Sequence, residues 1–444
     1  MLNKQIRSKL LPYQIPHTEK LISCINKYGG AVDGSVTGSG KTYTSLAITK
    51  HLGLTPLIIA PKNILPGWKK VAQYMGVEPF IIINYEALKY NKYNFMYYDK
   101  KNEWLEWRLP KNIIFIYDEA HLASNISTIN AHMIFTSATY YPTIALSATF
   151  GDSPEHMFTP GYITKMFSAE EYPIWLQNIS YKLVSVGGIK RFFWSFFLLP
   201  TDFFVERGDS EKCQLLHHAL FVERGSRMGE KEVKEFFPEG QIYPELIDFN
   251  SHVDKINEIY SQMNKELSAL ADKISGDGNS ALTIRLRARQ QVELLKVPIL
   301  VDYTKSLIVE GNSVVIFTNF RDSLSALCEQ LNTKCCITGG NKNNEKNRVS
   351  FQADEERIII VNIKSGGAGL NLDDRNGNYP RISLILPSDS AKDVKQALGR
   401  IHRSGTKTLT IQKIICAEKT IEEKVYKNLE RKIKNIDEIN DGDL

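Results

Sequence analysis

Residues 35–42 read Ser35-Val36-Thr37-Gly38-Ser39-Gly40-Lys41-Thr42. Successive backbone N–H groups can converge on phosphate oxygens only where side chains are small. A helix that starts behind them turns its positive end on the same anion. Helical spacing predicts that helix over 43–51. In this pattern Lys41 reaches the β- and γ-phosphates of ATP and Thr42 holds Mg²⁺, while Ser35, Val36, Thr37, Gly38, Ser39 and Gly40 line the cradle. The strict pattern has glycine first; here that position is Ser35, with Gly34 beside it.

Further along, the apolar run 113–117 leads straight into Asp118-Glu119-Ala120-His121. A carboxylate at the end of a strand beside the phosphate loop is where Mg²⁺ finds its second protein partner, so Asp118 takes that part. Glu119 is placed to orient and deprotonate the attacking water. Similar runs stand at 56–60, 80–83 and 143–146, then at 314–317, 358–361, 382–386 and 410–415, and most lack polar alternation. Such strands are buried on both faces, the pattern of parallel α/β sheets. Residues 253–271 and 281–310 have helical spacing, and 273–280 is a polar loop with two glycines.

Composition bounds the rest. The chain has 444 residues, with 55 Lys+Arg against 50 Asp+Glu, a balance of +5. That length implies two or three domains, and the mild basicity permits a polyanionic partner without requiring one. Six scattered cysteines without a Cys-x-x-Cys pair exclude a zinc or disulfide framework and suit a reducing, intracellular setting. The N-terminus has no signal-peptide pattern, and the eight-residue apolar stretch 192–199 is too short to span a membrane.

Together the two acidic and Gly-rich motifs resemble motifs II and I of the superfamily-two helicases and translocases, and the resemblance continues in order along the chain. Residues 11–14, Leu-Pro-Tyr-Gln, resemble the adenine-reading element, with Gln14 as base contact. Residues 58–70 are similar to motif Ia, 83–86 to motif Ib and Ser147-Ala148-Thr149 to motif III. A second Ser-Ala-Thr at 137–139 competes for that place, but only the first follows a strand-like run. Residues 315–320 resemble motif IV, 365–372 motif V and 396–403 motif VI.

The resemblance implies two tandem RecA-like parallel-sheet lobes: residues 1–250, a helical insertion at 251–295, and a second lobe at 296–444. It implies ATP and Mg²⁺ as cofactors and nucleic acid as partner. Gln396, Arg400 and Arg403 would act with Lys41, Asp118 and Glu119 in hydrolysis, the two arginines sharing one helix face at i, i+3. His121, Ser147, Thr149 and Gly369 would couple nucleotide state to the nucleic-acid track. Lys62, Lys69, Lys70, Thr318, Asn319 and Lys364 are the candidate phosphate contacts at the matched Ia, IV and V positions.

Three features are similar to the SWI/SNF-type DNA translocases: the Q-x-x-G-R-x-x-R form of motif VI, a first-lobe closing segment at 227–238, and a brace at 420–434. Short insertions and Ser-Ala-Thr-Phe at motif III resemble compact viral or phage members. The function implied is a DNA-stimulated ATPase moving on duplex or branched DNA. A strand-separating RNA or single-strand helicase, and a nucleotide-gated DNA scaffold, are the alternatives.

Overall fold

The computed structural model describes residues 2–90, 93–99, 104–124, 128–150, 157–168, 171–172, 174–175, 183–185, 203–205, 217–233, 240–247, 252–271, 278–366, 370–388, 390–403, 405–427 and 429–431. The apolar stretch 192–199 and the loop residues 273–277 lie outside them, as do Phe237-Pro238 of the closing segment, the brace from 432 onward, and Gly369.

The chain divides into two compact units, residues 1–235 and 236–431. In the first, strands β1 (Gly30–Asp33), β2 (Thr55–Ile59), β3 (Ile81–Ile83), β6 (Ile113–Asp118), β7 (Thr143–Leu146) and β10 (Gly225–Ser226) form one parallel sheet. Its order is β10-β1-β7-β6-β2-β3. Two antiparallel pairs stand apart, β4 (Met96–Asp99) with β5 (Trp104–Trp107) and β8 (Leu183–Ser185) with β9 (Phe203–Val205).

Alternation along β6 explains its unbroken apolar text. Ile113, Phe115 and Tyr117 enter one core cluster while Ile114 and Ile116 enter another, so both faces are covered. Burying each such side chain is worth about 1.5–3 kcal/mol. Helices α1 (Lys4–Arg7) and α2 (Gln14–Tyr28) precede β1, and α3 (Lys41–Leu52), α4 (Leu65–Met75), α5 (Tyr85–Lys89), α6 (Ile129–Tyr140) and α7 (Phe158–Ile163) come between or after the strands.

The second unit repeats the plan. Strands β11 (Gly240–Ile247), β12 (Ser313–Thr318), β13 (Cys336–Ile337), β14 (Ile358–Asn362), β15 (Arg381–Ile385) and β16 (Thr410–Ala417) pair in parallel, in the order β11-β16-β15-β12-β14-β13. Each unit is a RecA-like lobe. Pro244 lies in β11, an edge strand, the place in a sheet where proline is accommodated.

The second compact unit begins at residue 236 and so includes β11, which pairs along its whole length with β16. The helices Val253–Ala271 and Gly278–Val309 also belong to the second unit, where Ile256, Tyr260, Val292 and Leu300 join its core. The second helix starts at Gly278, three residues inside the polar stretch read as a loop. Among the described residues no helix is long and apolar enough to cross a membrane.

Candidate nucleotide site

Parallel strands deliver their following loops to one edge of a sheet, and ligands sit at those carboxyl ends. In the first lobe β1, β7 and β6 are neighbours, and their last residues align: Asp33 with Leu146, and Leu146 with Asp118. The phosphate loop, the Ser147–Thr149 segment and the Asp118–His121 segment therefore leave the sheet side by side. The rival Ser-Ala-Thr at 137–139 lies inside α6.

The loop itself is built for an anion. Gly38 and Gly40 have left-handed φ of 84° and 91°, open to glycine at little cost. A Cβ on Gly40 would stand 2.2 Å from Gln14 Nε2. Helix α3 starts at Lys41 without a side-chain cap, which leaves its first N–H groups for a ligand. Lys41 Nζ donates to the loop's own carbonyls, Ser35 O at 2.7 Å and Val36 O at 3.2 Å. Thr42 is half-buried on the first turn, and Val36, Thr37 and Gly38 are partly open while Ser39 is closed off.

Gln14, expected to read adenine, is buried and spends its amide on the loop. Its Nε2 donates to Ser39 O at 2.8 Å and its Oε1 accepts from Leu11 N at 2.9 Å. It braces the cradle from α2.

Beneath the loop lies a polar network that the motifs do not reveal. Asp33 is fully buried; Oδ1 accepts from Ser35 N at 3.0 Å, and His17 Nε2 stands 3.0 Å from Oδ2. His17 Nδ1 meets Ser226 Oγ at 2.8 Å. Ser35 Oγ accepts from Met228 N at 2.9 Å, and Arg227 Nη1 donates to Gly34 O at 2.5 Å. Segments near 17, 33 and 226 thus converge under the phosphate cradle. The start of the closing segment read at 227–238 is one of its walls.

Burial would raise the Asp33 carboxyl, but the His17 charge and hydrogen bond, Lys41 and Ser35 together hold it down to about 2. A carboxyl lowered on folding stabilises above its unfolded pKa and loses that contribution as pH falls through the folded value. Asp33→Asn should therefore cost about 2 kcal/mol at pH 5. Chemical unfolding of both proteins from pH 5 to pH 2 should show that gap closing; a constant gap would mean the charge plays no part.

The acidic pair stands at the end of β6. Asp118 Oδ1 accepts from Glu119 N at 2.9 Å, its Oδ2 from Trp68 Nε1 at 2.8 Å, and its carbonyl from the Tyr85 hydroxyl at 2.8 Å. Burial, and then the Glu119 charge, push the Asp118 carboxyl well above the usual range. A bound divalent cation inverts that balance, and carboxylate with hydroxyl is the hard-oxygen donor set that Mg²⁺ takes.

Glu119 holds a left-handed φ of 54°, a strained setting for a side chain of its size. His121 Nδ1 lies 3.4 Å from Glu119 Oε2 and 3.2 Å from Ser147 Oγ, and Ser147 Oγ accepts from Thr149 N at 3.1 Å. The two segments are joined through one imidazole.

In the second lobe Gln396 is buried near the end of the helix Ala391–Leu398. That helix stops at the Gly399 cap, so Arg400 and Arg403 lie beyond it; the shared helix face expected for them does not form. One backbone bond and one guanidinium bond tie them to the motif V segment instead. Leu372 N donates to Arg400 O at 3.0 Å and Arg403 Nη2 to Leu370 O at 3.0 Å.

Lys62, Lys69, Lys70 and Lys364 are exposed. Thr318 is not a surface contact: it ends β12 fully buried. The Asn319 amide is committed inward, donating to Glu293 Oε2 at 2.8 Å and Pro387 O at 3.0 Å.

Comparison with known proteins matches residues 7–152 to the Type III restriction enzyme res subunit family and 295–405 to the helicase conserved C-terminal domain. A protein of Acanthamoeba polyphaga mimivirus, provisionally named an ATP-dependent RNA helicase, is 32% identical over 469 residues, covering 100% of this chain and 86% of its own. A chromatin remodeling factor of Schizosaccharomyces pombe is 22% identical over 188 residues, 40% of this chain and 13% of that one. An SNF2 domain-containing protein of Oryza sativa subsp. japonica is 25% identical over 178 residues, 38% and 17%. The SWI2/SNF2 ATPase core of Sulfolobus solfataricus, solved with double-stranded DNA, aligns with 98% of this chain and 93% of its own at 17% identity. Its TM-score of 0.35 is too low for the superposition to bear on the fold. On the full-length relative and the two family matches, the chain belongs to the superfamily-two helicases and translocases, ATP-hydrolysing motors that act on nucleic acid.

Proposed function

We propose that the chain is a DNA-stimulated ATPase that moves along duplex or branched DNA without sequence preference. The observation that carries the motor is the alignment of three loops at the ends of β1, β7 and β6, with His121 between Glu119 and Ser147. In this reading the phosphate loop and Lys41 bind the triphosphate, and Thr42 and Asp118 hold Mg²⁺. Mg²⁺ held there would supply positive charge against the phosphate oxygens. Glu119 takes the proton of the attacking water, and His121 reports the occupied site to Ser147 and Thr149. Arg400 and Arg403, with Gln396, supply second-lobe charge for the transferring phosphoryl.

The choice of duplex DNA is supported by the Q-x-x-G-R-x-x-R text at 396–403 and by the partial matches to a chromatin remodeling factor and an SNF2 domain-containing protein. A second reading, an RNA helicase, is favoured by the provisional name of the mimivirus relative. ATP turnover measured with blunt duplex DNA, single-stranded DNA and RNA separates the two. Duplex should stimulate at least as well as single strands; stimulation by RNA alone would move the chain to the second reading and leave the ATP site intact.

Contacts to phosphate make affinity fall linearly on a log–log salt plot, with a slope of about −0.9 per neutralised phosphate on duplex. Lys69→Ala or Lys364→Ala should lower the slope magnitude by about one without creating sequence preference. An unchanged slope removes that lysine from the track.

A further inference from the structure

The Trp68 side chain has one polar atom, and among the described residues it is spent on the acidic pair. The side chain is 1% exposed, and its indole Nε1 donates to Asp118 Oδ2 at 2.8 Å. A buried indole needs an acceptor, and a backbone carbonyl would satisfy it equally well. Here the acceptor is the carboxylate proposed to hold Mg²⁺. The other grips on Asp118 are a backbone N–H on Oδ1 and the Tyr85 hydroxyl on the carbonyl. The indole bond to Oδ2 and the Glu119 N–H bond to Oδ1 together restrain the carboxylate's broad terminal torsion, and the indole is the side-chain part of that grip. A neutral donor does this without placing a positive charge against the cation.

The helix that carries Trp68 faces two ways. Trp68, Ala72 and Met75 fall at i, i+4 and i+7 and form the buried stripe of α4. Lys69 and Lys70, the next two residues, are exposed. At 100° per residue they point away from the core while sharing the backbone that sets the indole. A polyanion seated on those lysines bears on the same turn that holds Asp118.

We propose that Trp68 is a positioning residue that orients Asp118 for the divalent cation and makes that orientation respond to nucleic acid on Lys69 and Lys70. This rests on the ATP-site reading given above. A group that orients a metal ligand typically changes metal affinity by about 10–100-fold when removed. A residue that merely fills the core would lower stability and leave metal affinity alone.

The test is Mn²⁺ binding, read by electron paramagnetic resonance with a non-hydrolysable ATP analogue present and no turnover. Trp68→Phe keeps an aromatic ring and removes the donor; it should bind Mn²⁺ about tenfold more weakly than wild type. Saturating duplex DNA should tighten Mn²⁺ in wild type and not in Trp68→Phe. Should that variant fold poorly by thermal melt, the Lys69→Ala/Lys70→Ala double variant replaces it, and saturating DNA should no longer tighten Mn²⁺ there. Equal Mn²⁺ affinity in folded Trp68→Phe and wild type would overturn the inference alone, as would DNA-induced tightening that survives in the double variant. Wild type that binds no Mn²⁺ with the analogue would overturn it together with the ATP-site reading.

Discussion

Glu119→Gln is expected to bind ATP with near wild-type affinity and to lose turnover by about 10²–10⁴, the scale of a removed general base. The amide has the same shape and can still meet His121, which stands 3.4 Å from the carboxylate. It cannot accept a proton. Asp118, gripped by Trp68, Tyr85 and its neighbour's N–H, is untouched by the change, so the metal position should survive. Single-turnover hydrolysis and equilibrium nucleotide binding measure the two halves of this expectation. Turnover within threefold of wild type would take Glu119 out of the reaction.

Arg403→Ala is expected to lower turnover by about 10³ or more, the effect of losing an arginine that stabilises the transferring phosphoryl. Nucleotide affinity should change little, because that charge develops only in the transition state. The variant also loses a hydrogen bond to Leu370 O, so a small fall in second-lobe stability should accompany it. An unchanged rate would take Arg403 out of the reaction.

Much of this was legible because buried parallel strands and phosphate loops leave strong marks in sequence. Residues 113–117 could hardly be anything but a strand covered on both faces, and residues 143–146 proved one to the residue. The same logic separated Ser147–Thr149 from its copy at 137–139, since only a strand end reaches the sheet edge.

What stayed hidden depends on long-range pairing. Strand β1, Gly-Ala-Val-Asp, has no strand text of its own and exists because β7 and β10 flank it. Strand β11 contains a proline and is fixed by β16. Arg400 and Arg403 have helical spacing, but Gly399 ends the helix before either. Thr318 looked like a polar residue at a motif and proved to be core. His17, Asp33 and Ser226 are far apart in the chain; only the fold joins them. Trp68 stood in the sequence inside the motif Ia match, and its bond to Asp118 needed coordinates.

Hydrolysis at this site is expected to drive movement along nucleic acid. A triplex assay tests it most directly: a labelled third strand is annealed to duplex DNA, and its release is followed with ATP. The wild-type chain should displace the third strand only with hydrolysable ATP, leave a plain duplex unmelted, and lose displacement in Lys41→Ala. Displacement that proceeds without hydrolysis, or steady hydrolysis on the triplex that never releases the strand, would contradict it.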